Sequence, residues 1–127
     1  MTLTILHVDD EPDIREVASL SLELDPDIAL TSAESGEAAL ALLAGGFRPD
    51  VVLLDVMMPR MDGPETLARL RDIDGLEFTP VIFMTARAQT REQDRYISLG
   101  ALAVITKPFD PMTLAAEVRG ILAAHKG

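Results

Sequence analysis

The chain has 127 residues and a formal charge of −10; 48% of its residues are hydrophobic, although only 4% are aromatic. This length suits one domain, the acidic excess opposes direct binding to nucleic acid, and the absence of cysteine excludes disulfides and thiolate metal sites. No apolar run reaches the ~20 residues that cross a bilayer, and the N-terminus lacks the basic region of a signal peptide. We therefore expect a cytoplasmic protein without membrane insertion.

Short apolar runs alternate five times with helical patterns along the chain. The runs are rich in β-branched residues, which is typical of buried strands. They predict strands at about 3–8, 28–33, 50–54, 80–84 and 101–106, and helices near 12–24, 36–44, 64–74, 88–98 and 111–125. Five β-α units predict an α/β fold: an open, doubly wound, five-stranded parallel sheet with helices on both faces. The strand at 28–33 is the most polar and suits an edge, so we expect the flavodoxin-like order 2-1-3-4-5.

Polar residues stand at the carboxyl ends of four of these strands. Asp9 and Asp10 follow the first strand, Asp55 the third, Thr85 the fourth and Lys107 the fifth. Because such folds bind ligands in the crevice beyond the carboxyl ends of their strands, we expect these side chains to converge. Three carboxylates, a hydroxyl and an ammonium suit a divalent cation and a phosphoryl group.

Most of these residues also have a simpler interpretation. Asp10 or Glu11 can cap the following helix, Asp55 can form a turn, and Thr85 can cap the fourth helix. Lys107 is less typical of a surface position, because an apolar strand precedes it and Pro-Phe follows. As a group, they indicate a carboxylate that accepts a phosphoryl group while cations and a hydroxyl neutralise its oxygens.

Four motifs resemble those of receiver domains in the two-component response-regulator family. They are VDDEPDIRE (8–16), LLDVMMPRMDG (53–63), MTA (84–86) and TKPF (106–109), and the resemblance covers essentially the whole chain. It implies a phosphorylation-dependent switch, similar to a single-domain chemotaxis regulator, that receives phosphate from a histidine kinase or histidine phosphotransfer protein. Such a domain catalyses only its own Mg²⁺-dependent phosphorylation and dephosphorylation, and it changes its binding to a downstream protein partner.

The resemblance also implies a role for each motif residue. Asp55 is the expected phosphoacceptor, and Lys107 and Thr85 are expected to contact the phosphoryl group. The Lys107–Pro108 peptide bond is expected to be cis. The implied ligands of Mg²⁺ are Asp10, Asp55 and the main-chain carbonyl of Met57, with Asp9 acting largely through water.

Two positions depart from the common family pattern. Many receivers carry an aromatic residue three positions before the lysine, where this chain has Val104. We therefore expect the signal to depend on Thr85, Ala86 and the following loop, or the conformational change to be small. Met57 and Arg87 occupy the variable positions beside the phosphoryl group. Met57 cannot orient a water molecule, which predicts a long-lived phosphoaspartate, whereas Arg87 either contacts the phosphoryl group or extends into solvent.

Other conspicuous residues are expected to be structural. His7 lies within the first strand, and Tyr96, the single tyrosine, is interpreted as a helix-surface or partly packed ring. By position in the family, the first helix would offer a kinase-docking surface containing Arg15, Ser19 and Leu22.

Residues 1–127 are interpreted as one receiver domain, because no linker, repeat or change of composition divides them. The chain ends just after the last predicted helix, which favours a stand-alone receiver; a fragment of a larger regulator or hybrid kinase is an alternative. A phosphorylation-independent docking module and a phosphatase for external substrates are further alternatives. A homodimer through the fourth helix, fifth strand and fifth helix is also left open.

Overall fold

Five parallel strands form one sheet in the computed structural model, which describes residues 2–87 and 89–126. The strands are β1 (Leu3–Val8), β2 (Ile28–Ala33), β3 (Val51–Asp55), β4 (Val81–Thr85) and β5 (Ala103–Thr106). The helices are α1 (Pro12–Leu22), α2 (Gly36–Ala44), α3 (Gly63–Leu70), α4 (Thr90–Ser98) and α5 (Leu114–Lys126). The strand order is β2-β1-β3-β4-β5, and all neighbours pair in parallel. The predicted fold class and order are therefore confirmed.

Two apolar layers cover the sheet, one on each face. Residues of α1 and α5 pack with Ile5, Leu53 and Ile82 on one face, and residues of α2, α3 and α4 pack with Leu6 and Phe83 on the other. The central strands β3 and β4 are buried throughout, whereas β2 at the edge is largely half-exposed, as its polar sequence predicts. No helix within the described ranges is long and apolar enough to cross a bilayer.

The first and third helices end before the predicted positions. Helix α1 ends at Leu22 instead of residue 24, because the main-chain N–H of Leu24 bonds the carbonyl three residues earlier and tightens the turn. Helix α3 ends at Leu70 instead of residue 74. There Arg71 donates to the carbonyls of Leu76 at 2.9 Å and Thr79 at 2.7 Å, which holds the chain in a compact turn towards β4.

The last helix begins after its predicted position. Helix α5 begins at Leu114 rather than at residue 111, because the Asp110 carboxylate accepts from the N–H of Met112 at 2.8 Å and forms a separate turn. The predicted start of the fourth helix near Ala88 lies outside the described residues; helix α4 begins at Thr90, after the N-cap residue Gln89.

Candidate functional site

The carboxyl ends of four strands bring the five predicted site residues to one end of the sheet. Asp9 and Asp10 follow β1, and Lys107 follows β5, as expected. Asp55 and Thr85 are the last residues of β3 and β4 rather than residues beyond them. Because β1, β3, β4 and β5 are consecutive in the sheet, their ends form one crevice.

Three aspartates form the floor of this crevice. Asp9, Asp10 and Asp55 each offer one carboxylate oxygen, and these three oxygens lie within 4.8 Å of one another. Asp9 has no exposed surface and Asp55 is 4% exposed, whereas Asp10 is half-buried. Like charges held this closely and away from solvent favour binding of a cation.

Lys107 supplies one cation to the cluster. Its Nζ donates to Oδ2 of Asp9 at 2.7 Å and to Oδ1 of Asp55 at 3.0 Å, and its side chain is 14% exposed. Burial on its own lowers the pKa of Lys107, but the hydrogen bonds to Asp9 and Asp55 outweigh that effect and raise it. The ammonium therefore stays charged at neutral pH. The Lys107–Pro108 bond is cis, as expected.

The surroundings of Asp55 keep its carboxylate only moderately acidic. Burial is the main cause that raises its pKa, from 3.8 to about 6; the hydrogen bond from Lys107 opposes this, and the negative charges of Asp9 and Asp10 add to it. At neutral pH the carboxylate is ionised and is a competent nucleophile. An additional cation would offset the negative charges of Asp9 and Asp10 and lower the pKa of Asp55.

The donor set of the crevice fits a hard divalent cation. Asp10 and Asp55 provide carboxylate oxygens, which Mg²⁺ prefers. Both carboxylate oxygens of Asp9 already accept hydrogen bonds, Oδ1 from the N–H of Glu11 at 2.9 Å and Oδ2 from Lys107. Asp9 is therefore less able than its neighbour to bind a cation directly. Glu11 occupies the N-cap position of α1, but its side chain makes no capping bond there.

Thr85 lies buried beside the cluster, at the end of β4. Its side chain is 2% exposed, and Oγ1 accepts a hydrogen bond from the N–H of Arg87 at 3.0 Å. The hydroxyl thus stabilises the turn after β4 instead of capping α4, which has Gln89 at its N-cap. Ala86 and Arg87 are exposed, so Arg87 extends towards solvent in this structure.

Aromatic packing lies below Thr85, between the sheet and α4. Val104 of β5 pairs in register with Phe83 of β4 and is half-buried. The ring of Phe83 meets that of Tyr96 edge-on, with centroids 5.2 Å apart and planes at 73°. Tyr96 is only 4% exposed, so its interpretation as a surface or partly packed ring is wrong. Contact with Phe83, within the apolar cluster on this face of the sheet, draws it into the core.

The loop after β3 passes close to the phosphoacceptor candidate. Met57 is 67% exposed, and the N–H of Gly63 donates to the carbonyl of Val56 at 2.9 Å, which closes the loop. A Cβ at Gly63 would lie 2.6 Å from the main-chain oxygen of Asp55. Only glycine therefore permits this approach of α3 to β3.

Two features of this region escaped the sequence pattern or contradict it. Arg15 is half-buried, and its Nη1 donates to the main-chain oxygen of Asp9 at 2.7 Å. Leu22 is fully buried, so it cannot contribute to a docking surface on α1; Val17 and Leu20 are the exposed apolar residues of that helix.

His7 lies within β1 as expected, but in an unusual environment. It has no exposed surface, and neither ring nitrogen has a hydrogen-bond partner among the described residues. Burial lowers its pKa from 6.5 to about 4; Asp9 opposes this shift, and the positive charges of Lys107 and Arg15 add to it. The ring is therefore neutral at physiological pH.

Comparison with known proteins identifies the family. A family model described as the response regulator receiver domain matches residues 5–119. The chain belongs to this family. The receiver domain is 37% identical to Response regulator Rre1 of Synechocystis over 124 residues, which are 98% of this chain and 53% of that protein. It is 36% identical over 119 residues to the phosphate regulon transcriptional regulatory protein PhoB of Pseudomonas aeruginosa, covering 94% of this chain and 51% of that protein.

Solved structures support the same assignment. The chemotaxis response regulator CheY4 of Vibrio cholerae matches with a TM-score of 0.86 and 31% sequence identity, covering 95% of this chain and 99% of that one. This receiver domain spans about half the length of the curated relatives described above. Its family, fold and aspartate cluster are those of a phosphorylation-dependent switch in two-component signalling.

Proposed function

We propose that Asp55 accepts a phosphoryl group from a phosphohistidine, carried by a histidine kinase or a histidine phosphotransfer protein. The observation that carries this proposal is the bridge of Lys107 between Asp9 and Asp55, at 2.7 and 3.0 Å, beside the carboxylate of Asp10. A nucleophile, an ammonium and a cation-binding pair of carboxylates thus share one crevice. These are the groups that phosphoryl transfer to a carboxylate requires.

The proposed reaction forms one bond and breaks one. An oxygen of Asp55 attacks phosphorus in line with the P–N bond of the donor, and the imidazole leaves with the bonding electrons and gains a proton from solvent. Lys107 then pairs with a phosphoryl oxygen instead of with Oδ1 of Asp55. Mg²⁺, held by Asp10, Asp55 and the main-chain carbonyl of Met57, with Asp9 acting largely through water, would supply positive charge to the phosphoryl oxygens.

Thr85 is the proposed link from the phosphoryl group to the surface. Its Oγ1 uses a lone pair to accept from Arg87, which leaves the hydroxyl proton to donate to a phosphoryl oxygen. A shift of Thr85 would move Ala86 and the adjoining surface of α4, β5 and α5, where a downstream protein partner or a second copy would bind. Because Val104 lacks an aromatic ring, we expect the packing of Tyr96 against Phe83 to carry part of that change.

The names of the relatives bear on the wider role of the protein. Some relatives are transcriptional regulatory proteins about twice as long as the matched region, so a role as the receiver part of a larger regulator competes with a stand-alone role. We propose that residues 1–127 form one receiver domain acting in the cytoplasm. Its charge of −10 disfavours direct contact with nucleic acid, and output is expected through a protein partner.

A second candidate function is a docking module that works without phosphorylation. Val104 favours it, because a half-buried valine offers little change in contact area between two states. The same fold and acidic crevice would then be retained without chemistry at Asp55. Phosphorylation itself separates the two candidates.

The test is the intact mass of the protein after incubation with acetyl phosphate, with Mg²⁺ or with a chelator. We expect one phosphoryl adduct that requires Mg²⁺ and is lost in Asp55→Asn. Absence of an adduct with both acetyl phosphate and a phosphohistidine donor, in protein that binds Mg²⁺, would favour the docking module. Turnover of an added phosphomonoester would indicate a phosphatase instead.

A further inference from the structure

Arg15 makes a contact that the proposed phosphoryl chemistry does not use. It is the fourth residue of α1, and its Nη1 donates to the main-chain oxygen of Asp9 at 2.7 Å. A cation in the first turns of a helix is unfavourable, because the macrodipole places positive charge at the N-terminus. Helix stability therefore does not explain an arginine here, and its contact with Asp9 does.

Every polar atom of Asp9 makes a hydrogen bond. Its N–H donates to the carbonyl of Ala33 at 3.1 Å, its main-chain oxygen accepts from Arg15, and its two carboxylate oxygens accept from Glu11 and Lys107. Asp9 has no exposed surface. Loss of the Arg15 bond would leave a buried carbonyl without a partner, which is unfavourable and would drive the turn to shift.

That turn carries the proposed metal ligand. Asp10 follows Asp9 directly, so the peptide plane that Arg15 fixes also sets the main-chain position from which the Asp10 side chain extends. Groups that orient metal ligands without touching the metal commonly change its affinity 10- to 100-fold, roughly, when they are removed. The contact therefore acts on the geometry of the cluster formed by Asp9, Asp10 and Asp55.

We propose that Arg15 is a positioning residue, which fixes the turn between β1 and α1 so that Asp10 and Asp55 bind a divalent cation together. The inference rests on the proposed function, because it assigns to the acidic cluster the Mg²⁺ that phosphorylation requires. It predicts that the bond from Arg15 to the Asp9 carbonyl matters more than the charge of Arg15.

Charge alone predicts the opposite result. Arg15 is close enough to the site for its positive charge to lower the pKa of His7, two residues before Asp9. A purely electrostatic effect would repel Mg²⁺, so removing the charge would tighten Mg²⁺ binding. Positioning predicts weaker binding after the same substitution. The sign of the change in affinity therefore separates the two explanations.

The experiment is titration of Mg²⁺ by calorimetry, in the absence of any phosphoryl donor, into the wild type, Arg15→Met and Arg15→Lys. We expect Arg15→Met to weaken Mg²⁺ binding about tenfold or more and Arg15→Lys to recover part of the loss. At saturating Mg²⁺, phosphorylation of Arg15→Met by acetyl phosphate is expected to approach the wild-type rate. Equal or tighter binding of Mg²⁺ by Arg15→Met overturns the proposal.

Arg119→Met provides the matched control. Arg119 also donates one short bond to an oxygen, Oδ2 of Asp25 at 2.6 Å, but it lies on α5, beside the start of the sheet and away from the acidic cluster. The substitution Arg119→Met removes the same charge as Arg15→Met and is expected to leave Mg²⁺ affinity unchanged.

Two outcomes keep the inference distinct from the proposed function. A wild-type protein that binds no Mg²⁺ contradicts the proposed function, whereas normal Mg²⁺ binding in both wild type and Arg15→Met contradicts only the role of Arg15. Thermal unfolding verifies that each variant is folded. Arg15→Leu, which also lacks a donor, carries the same expectation and replaces Arg15→Met if the latter does not fold.

Discussion

Replacement of His7 by leucine is expected to stabilise the protein, and more so at acidic pH. His7 lies on the same face of β1 as Ile5, under α1 and α5, with no exposed surface. Its two ring nitrogens have no hydrogen-bond partner in the described part of the chain. Leucine has a similar volume and lacks these buried, unpaired nitrogens. We therefore expect His7→Leu to raise the free energy of unfolding by about 1–3 kcal/mol at neutral pH.

The pH dependence follows from the lowered pKa. Burial is the main cause that brings the pKa of His7 from 6.5 to about 4 in the folded protein. Between these values the unfolded chain binds a proton that the folded chain does not, so the stability of the wild type falls as pH falls through this window. Proton linkage gives a loss of roughly 2 kcal/mol at about pH 5 relative to about pH 7.5. His7→Leu lacks this loss.

Urea unfolding of both proteins, in the presence of a chelator, at about pH 7.5 and about pH 5 measures the two effects. The raised pKa of Asp55 also makes stability depend on pH, but it does so in both proteins and cancels in their difference. His125→Leu is the control, because His125 is exposed and its ring nitrogens are not buried. We expect it to change the free energy of unfolding by less than roughly 0.5 kcal/mol. A difference between wild type and His7→Leu that is equal at both pH values would refute a neutral, buried His7.

Two further substitutions test the loop beside Asp55. Gly63→Ala places a Cβ 2.6 Å from the main-chain oxygen of Asp55, so we expect it to lower the free energy of unfolding by about 1–3 kcal/mol and to slow phosphorylation. Gly120→Ala is the control, because a Cβ there meets nothing within 4 Å beyond its chain neighbours and its own helix backbone; equal behaviour of the two variants would contradict the close approach at Gly63. Met57→Asn adds a polar group that can orient water, and we expect the phosphoryl adduct to decay faster by intact mass; an unchanged or slower decay would contradict this role.

The sequence is sufficient to predict the convergence of the site, because the information is local to each strand. Apolar runs of strand length end at Asp9, Asp55, Thr85 and Lys107, and parallel topology gathers such ends. The one-residue shift in β3 and β4 has a simple cause: Asp55 still pairs with Met84 in the ladder, although its polarity marks it as lying beyond the strand.

Contacts that depend on the three-dimensional packing of the elements are what the sequence pattern does not reveal. The bond from Arg15 to the Asp9 carbonyl depends on the angle at which α1 leaves the sheet, and no periodicity encodes it. Tyr96 occurs in a helix whose other residues are mostly polar, so the sequence suggests a surface ring, but contact with Phe83 buries it. The early end of α3 depends likewise on a turn in which Arg71 donates to the carbonyls of Leu76 and Thr79, five and eight residues later.

The central claim is that these side chains act together on one phosphoryl group. A crystal structure of the protein with Mg²⁺ and beryllofluoride, an analogue of the acyl phosphate, tests it most directly. We predict that the analogue is bound to a carboxylate oxygen of Asp55, with Nζ of Lys107 and Oγ1 of Thr85 within about 3 Å of its fluorine atoms, and with Mg²⁺ on Asp10 and Asp55. An analogue bound elsewhere, or Lys107 still paired with Asp55 and apart from the analogue, would contradict the account.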